Sequence, residues 1–158
     1  MFISGGFTPS TTNGWRFTAL SAIHVTGLRM MSYYNAQSQK LNLWDLTTST
    51  LIGTVTVMGS MGVWVEGSIV PVTLIAGRDY IIATNAQAGG SVYYYRSNPP
   101  ATEFNEDYIA FIGARLSGVI DTIPTNTAYK STPAVDIIFD VGGEPPAEDV
   151  GIMFATFV

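Results

Sequence analysis

Residues 63–80, VWVEGSIVPVTLIAGRDY, constrain the fold more than any other stretch of the chain. Val63 and Val65 alternate with Trp64 and Glu66, the period of two expected of a strand with unlike faces. Pro71 cannot donate to a ladder, so it marks an edge or a break between two runs. Val72 and Leu74 resume the alternation around Thr73. Ala76-Gly77 supplies a turn, because glycine takes positive φ without a Cβ clash. Tyr80 can then lay its ring into the core while its hydroxyl reaches nearby backbone, as tyrosines at sandwich corners do. The stretch predicts a central hairpin, with strands leading up to it and strands folding back after it.

The flanking sequence has the same character. Ile23 and Val25 alternate with His24 and Thr26, and the apolar parity switches near Gly27, which predicts a β-bulge there. Leu41 and Leu43 make a strand that exits through the turn-like Asp45-Leu46-Thr47-Thr48. Val55 and Val57 share one parity opposite Thr54 and Thr56, a strand with threonines on its wetter face. Further strands are expected at residues 80–85, 91–96, 108–116 and 135–141, and no run shows a helical period of 3.6. The expected fold is a single antiparallel β-sandwich, jelly-roll-like, over residues 15–141. An N-terminal segment (1–14) precedes it, in which Phe2, Ile3 and Phe7 suit a small edge strand. A tail (142–158) follows, ending in the apolar octet GIMFATFV. Such an octet invites aggregation in water, so Ile152, Phe154 and Phe157 are expected to pair, either in their own sheet or against a neighbour.

At 158 residues the chain buries roughly two-thirds of its unfolded surface. Charged residues make up 12%, about half the usual ~25%. Either neighbouring subunits cover much of the surface, or Ser, Thr and Asn wet it. The seven Lys and Arg are scattered in a chain of net charge -5, which argues against nucleic-acid binding. The absence of cysteine removes disulfides and thiolate chemistry. The first residues lack the basic and apolar regions of a signal peptide, and no run approaches the ~20 apolar residues of a membrane span.

Catalytic patterns are thin. His24 is the single histidine and lies mid-strand, without a G-x-S-x-G elbow to supply a nucleophile. Asp136 and Asp140 lie four apart on one strand, roughly 13 Å when extended, too wide for a pair to act directly. Glu103, Asn105, Glu106 and Asp107 form an oxygen cluster suited to Ca²⁺ but without EF-hand spacing, so a solvated loop is the expected reading and no metal or cofactor is assigned. Tyr93, Tyr94 and Tyr95, followed by Arg96 and Asn98, suit stacking on a sugar or anchoring a partner, with core packing as the alternative. Tyr33, Tyr34 and Trp44 offer a second such group, whereas Trp15 and Trp64 are expected in the core.

Four pieces in order resemble a bacterial β-sandwich family still described as a domain of unknown function. They are a TG-hydrophobic-R step (Thr26, Gly27, Leu28, Arg29), a Leu-Trp strand (Leu43, Trp44), PV-x-L-x-AG-x-x-Y (Pro71, Val72, Leu74, Ala76, Gly77, Tyr80) and VD-x-x-F (Val135, Asp136, Phe139). The resemblance spans about residues 15–141 and implies the sandwich and a leaning towards surface attachment or glycan binding, without catalytic residues. The tail from Gly142 departs from that pattern. Together with the sparse charge, it fits a structural or adhesive bacteriophage virion protein such as a capsid decoration, head fibre or tail adhesin. A protein of that kind is non-enzymatic, is made in the host cytoplasm and carried out on the particle, and forms homo-oligomers. The alternative is a carbohydrate-binding module recognising cell-surface glycan.

Overall fold

The computed structural model describes residues 2–6, 11–32, 36–86, 91–95, 107–119, 121–127 and 132–141. These hold twelve strands and no helix: β1 (Phe2–Gly6), β2 (Thr11–Ala19), β3 (Ile23–Met31), β4 (Ser38–Asp45), β5 (Thr50–Met58), β6 (Trp64–Leu74), β7 (Asp79–Ala86), β8 (Ser91–Tyr95), β9 (Ile109–Ser117), β10 (Asn126–Thr127), β11 (Thr132–Pro133) and β12 (Val135–Val141). One sheet has the order β10-β9-β2-β7-β4-β5 and faces a second, β12-β3-β6, while β1-β8-β11 form a small third sheet. All pairings are antiparallel. The chain is an antiparallel β-sandwich, as its alternation predicts.

Three pairings are nested: β4 with β5, β3 with β6, and β2 with β7. The middle pair lies in one sheet and the outer two in the other, so the chain is a long hairpin rolled across the sandwich in jelly-roll fashion. The centre of the roll is the β4–β5 turn, not residues 63–80. There the Asp45 carboxylate accepts from the backbone N–H groups of Thr47 (2.8 Å) and Thr48 (3.3 Å). The expected central hairpin is corrected accordingly, because β6 and β7 belong to different sheets and meet at a corner.

Pro71 does not break β6. Between the pairs Gly27↔Ser68 and Val25↔Val72 the register shifts, so residues 69–71 together stand opposite Thr26 as a bulge. The missing N–H of Pro71 falls in this bulge on an edge strand, where a ladder bond is not required. The parity switch near Gly27 is the same bulge read from β3. At the corner, Gly77 takes φ +79° and the Tyr80 hydroxyl accepts from the Ile75 N–H at 2.8 Å, the expected tyrosine corner.

The core lies between the two larger sheets and includes Trp15, Phe17, Leu28, Leu43, Tyr80 and Ile137. Trp15 Nε1 crosses it to donate to the Val135 carbonyl at 2.7 Å. Trp64 departs from expectation. Its place on β6 turns it outward, where it packs against Met31 and Ala134 apart from the main core, with the Arg29 guanidinium 4.8 Å from its ring centre.

Candidate functional site

Of the residues singled out for chemistry, the described ones lie on different strands and in different sheets. Tyr93, Tyr94 and Tyr95 lie on β8, the middle strand of the small sheet, with Tyr95 opposite Phe2 and Thr132. Arg96, Asn98, Tyr33, Tyr34, Glu103, Asn105, Glu106, Ile152, Phe154 and Phe157 lie outside the described residues, as does the tail 142–158. Asp107 is exposed. Among the described residues no three His, Cys, Asp or Glu side chains converge as a metal site.

His24 stands on the outer face of the smaller sheet, with Nδ1 3.2 Å from the Thr73 hydroxyl and Asp140 its neighbour on β12. Asp136 shares that face but is engaged. Its Oδ2 accepts from Arg29 Nη2 (2.7 Å) and Nε (3.2 Å), and its Oδ1 accepts from the Ile137 N–H (2.9 Å). Asp140 is exposed, so the two carboxylates have different surroundings on one strand.

The feature with the clearest functional character is where the two sheets meet at one side. β5 and β6 are the free edges of their sheets and lie against each other without pairing. They approach over two glycines. A Cβ on Gly67 would stand 2.5 Å from Val55 Cγ2, and a Cβ on Gly53 would stand 2.7 Å from Ile69 Cδ1. Ile69 therefore seats over Gly53, and Val55 over Gly67. At the Gly53–Ile69 contact lies an open apolar cleft of about 250 Å³ lined by Leu51, Ile52, Gly53, Thr54, Ile69 and Val70.

The two strands of the seam and the residues joining and following them are rich in exposed apolar side chains. The described residues include nine exposed large hydrophobics, and six of them (Leu51, Met58, Met61, Val63, Val70 and Ile75) lie between positions 51 and 75. Val70 is 84% exposed. Glu66 is the single charged residue from 50 to 75. The edges differ in protection. β6 carries Pro71, its bulge and Glu66, devices that blunt strand addition, whereas β5 (TLIGTVTVM) has neither charge nor proline along nine residues.

Beside β5, a polar network holds Asp121 onto the outer face of the larger sheet. Asp121 Oδ1 accepts from Lys40 Nζ (2.8 Å), Asn85 Nδ2 (2.8 Å) and Asn42 Nδ2 (3.1 Å). Thr54 donates to Asn42 Oδ1 at 2.8 Å, tying β5 into the same network. The Lys40 hydrogen bond, then that of Asn85, holds the Asp121 carboxyl below its ordinary range despite some burial. For Asp79, burial pushes upward, but hydrogen bonds from Arg16 and Thr18 and the Arg16 charge together bring the carboxyl below its ordinary value.

Neither the seam nor the Asp121 network stands out in the reading of the sequence. Glycine inside a strand marks close backbone approach, so Gly53 and Gly67 carried a signal for the seam. The Asp121 partners come from β4 and β7, and no local pattern links them. No protein-family model matches the chain, and comparison with curated proteins finds no similar one.

Proposed function

We propose that the protein is a non-catalytic structural and adhesive module that acts by burying the β5–β6 side against further copies of itself. The observation that carries this reading is the uncharged, proline-free edge of β5 beside a rim of exposed apolar side chains. An edge strand of this kind offers unpaired N–H and C=O groups, and soluble monomers normally blunt such edges. Association would satisfy those groups and remove apolar surface from water at about 25 cal/mol per Å². A homo-oligomeric component of a bacteriophage particle, as capsid decoration, head fibre or tail adhesin, is the setting that best fits such a surface on a chain with 12% charged residues.

The test is the mass in solution across a concentration series, for the natural chain and for a Thr56→Lys/Val70→Lys variant. Both side chains are exposed, so the substitutions leave the core untouched while placing charge on each lip of the seam. The expected result is an oligomer that the double substitution converts to a folded monomer. A natural chain that stays monomeric throughout, or an oligomer indifferent to both lysines, would contradict the proposal.

A further inference from the structure

The seam has a hollow end and a projecting end. The open cleft lies at one, walled by Leu51, Gly53, Ile69 and Val70. Met58, Met61 and Val63 are exposed at the other, where residues 59–63 join β5 to β6. Gly53 lies by Ile69 and Val55 by Gly67, so β5 and β6 run in opposite directions along the seam and each end is built from both strands.

β5 also matches itself in reverse. Its register on β4 sets Gly53 opposite Leu43 and Leu51 opposite Trp44, which leaves Ile52 as an extra residue. Leu51 therefore takes the strand position next to Gly53, on the exposed face that also carries Thr54, Thr56 and Met58. An antiparallel copy of β5 centred on Val55 then sets Leu51 opposite the partner's Met58 and Thr54 opposite the partner's Thr56, each pair occurring twice. Apolar meets apolar and hydroxyl meets hydroxyl, and the strand has no charge to repel its own copy. The same reversal lays the projecting end of each copy over the hollow end of the other. A head-to-tail contact would need β6 as the partner strand, and Pro71, the bulge and Glu66 blunt that edge.

We propose, resting on the reading of β5 as an edge for self-association, that the partner is one second copy, bound in a closed twofold dimer. The two β5 strands pair antiparallel about Val55, and each copy seats its Met58 against the partner's Leu51 at the mouth of the cleft. The two six-stranded sheets thereby become one continuous sheet. Methionine suits such a place, because its flexible, unbranched side chain fills irregular apolar gaps. The interface uses the same patch on both copies, so it closes on itself and does not propagate into fibres.

The experiment combines sedimentation of the natural chain with cross-linking of single-cysteine variants, which the absence of natural cysteine makes specific. Leu51→Cys, Thr56→Cys and Met58→Cys replace exposed side chains and are treated with a short bis-maleimide, each alone and in mixtures. The natural chain is expected to reach twice the mass of one copy and to stay there as concentration rises. Leu51→Cys mixed with Met58→Cys should cross-link, and Thr56→Cys, close to the axis, should cross-link to itself. Neither Leu51→Cys nor Met58→Cys should cross-link alone, because like residues so far from the axis stand roughly 20 Å apart. A mass that keeps growing, cross-links between like residues at 51 or 58, or a dimer in which the mixture fails to cross-link would overturn the twofold pairing while self-association stands. A natural chain that stays monomeric at every concentration would overturn the edge reading and this pairing with it.

Discussion

Tyr80 joins two sheets with one hydrogen bond, from the Ile75 N–H to its hydroxyl. The ring is buried in the core, so Tyr80→Phe keeps the packing and deletes the bond. The expected loss is about 1 kcal/mol, read as a lower urea midpoint at unchanged slope. Asp121 has φ +56°, a conformation that aspartate tolerates better than most residues, and its carboxylate gathers Lys40, Asn42 and Asn85. Its folded pKa is depressed, so its stabilisation is present above the unfolded value near ~3.9 and is lost as pH falls through the folded one. The stability difference between the natural chain and Asp121→Asn should therefore be largest at neutral pH and shrink on acidification. Because the side chain is 48% exposed, that difference should not exceed about 1 kcal/mol. A gap that widened in acid would refute the assignment. The tyrosine corner was legible because its partners lie five residues apart, whereas the Asp121 partners are scattered over distant strands.

Strand and bulge positions were readable because they are written in alternation. The parity switch near Gly27 and the edge character of Pro71 both appear where the pattern placed them. Which strands pair was less readable. Residues 63–80 look like a hairpin because two β-runs flank a glycine turn, but alternation cannot show that the chain changes sheet at that turn. Trp64 was misplaced for a related reason: the bulge at 69–71 shifts the parity of β6, so the inward residues before it are Val65, Gly67 and Ile69. The seam makes its own prediction. Gly67→Ala pushes a methyl towards Val55 Cγ2 and Val57 Cγ1 and should cost about 1–3 kcal/mol. Adding Val55→Ala should recover part of that loss, seen as non-additivity in a double-mutant cycle. Simple additivity would mean that the strands do not meet over Gly67.

At the scale of the molecule, the rolled hairpin puts two free edges on one side, and Glu66 is the single charged residue on those two strands. The sandwich was legible from composition and period together. The tyrosine run at 93–95 lies on the separate small sheet, while the seam arises from strands that the fold brings together. The central claim is that β5 gains a partner strand on association. Amide hydrogen exchange along β5, followed from dilute to concentrated protein, tests it most directly. The β5 N–H groups not bonded to β4 should become protected as concentration rises and should stay fast in Thr56→Lys/Val70→Lys. Equally fast exchange at every concentration, or protection that rises on another strand while β5 stays open, would contradict the account.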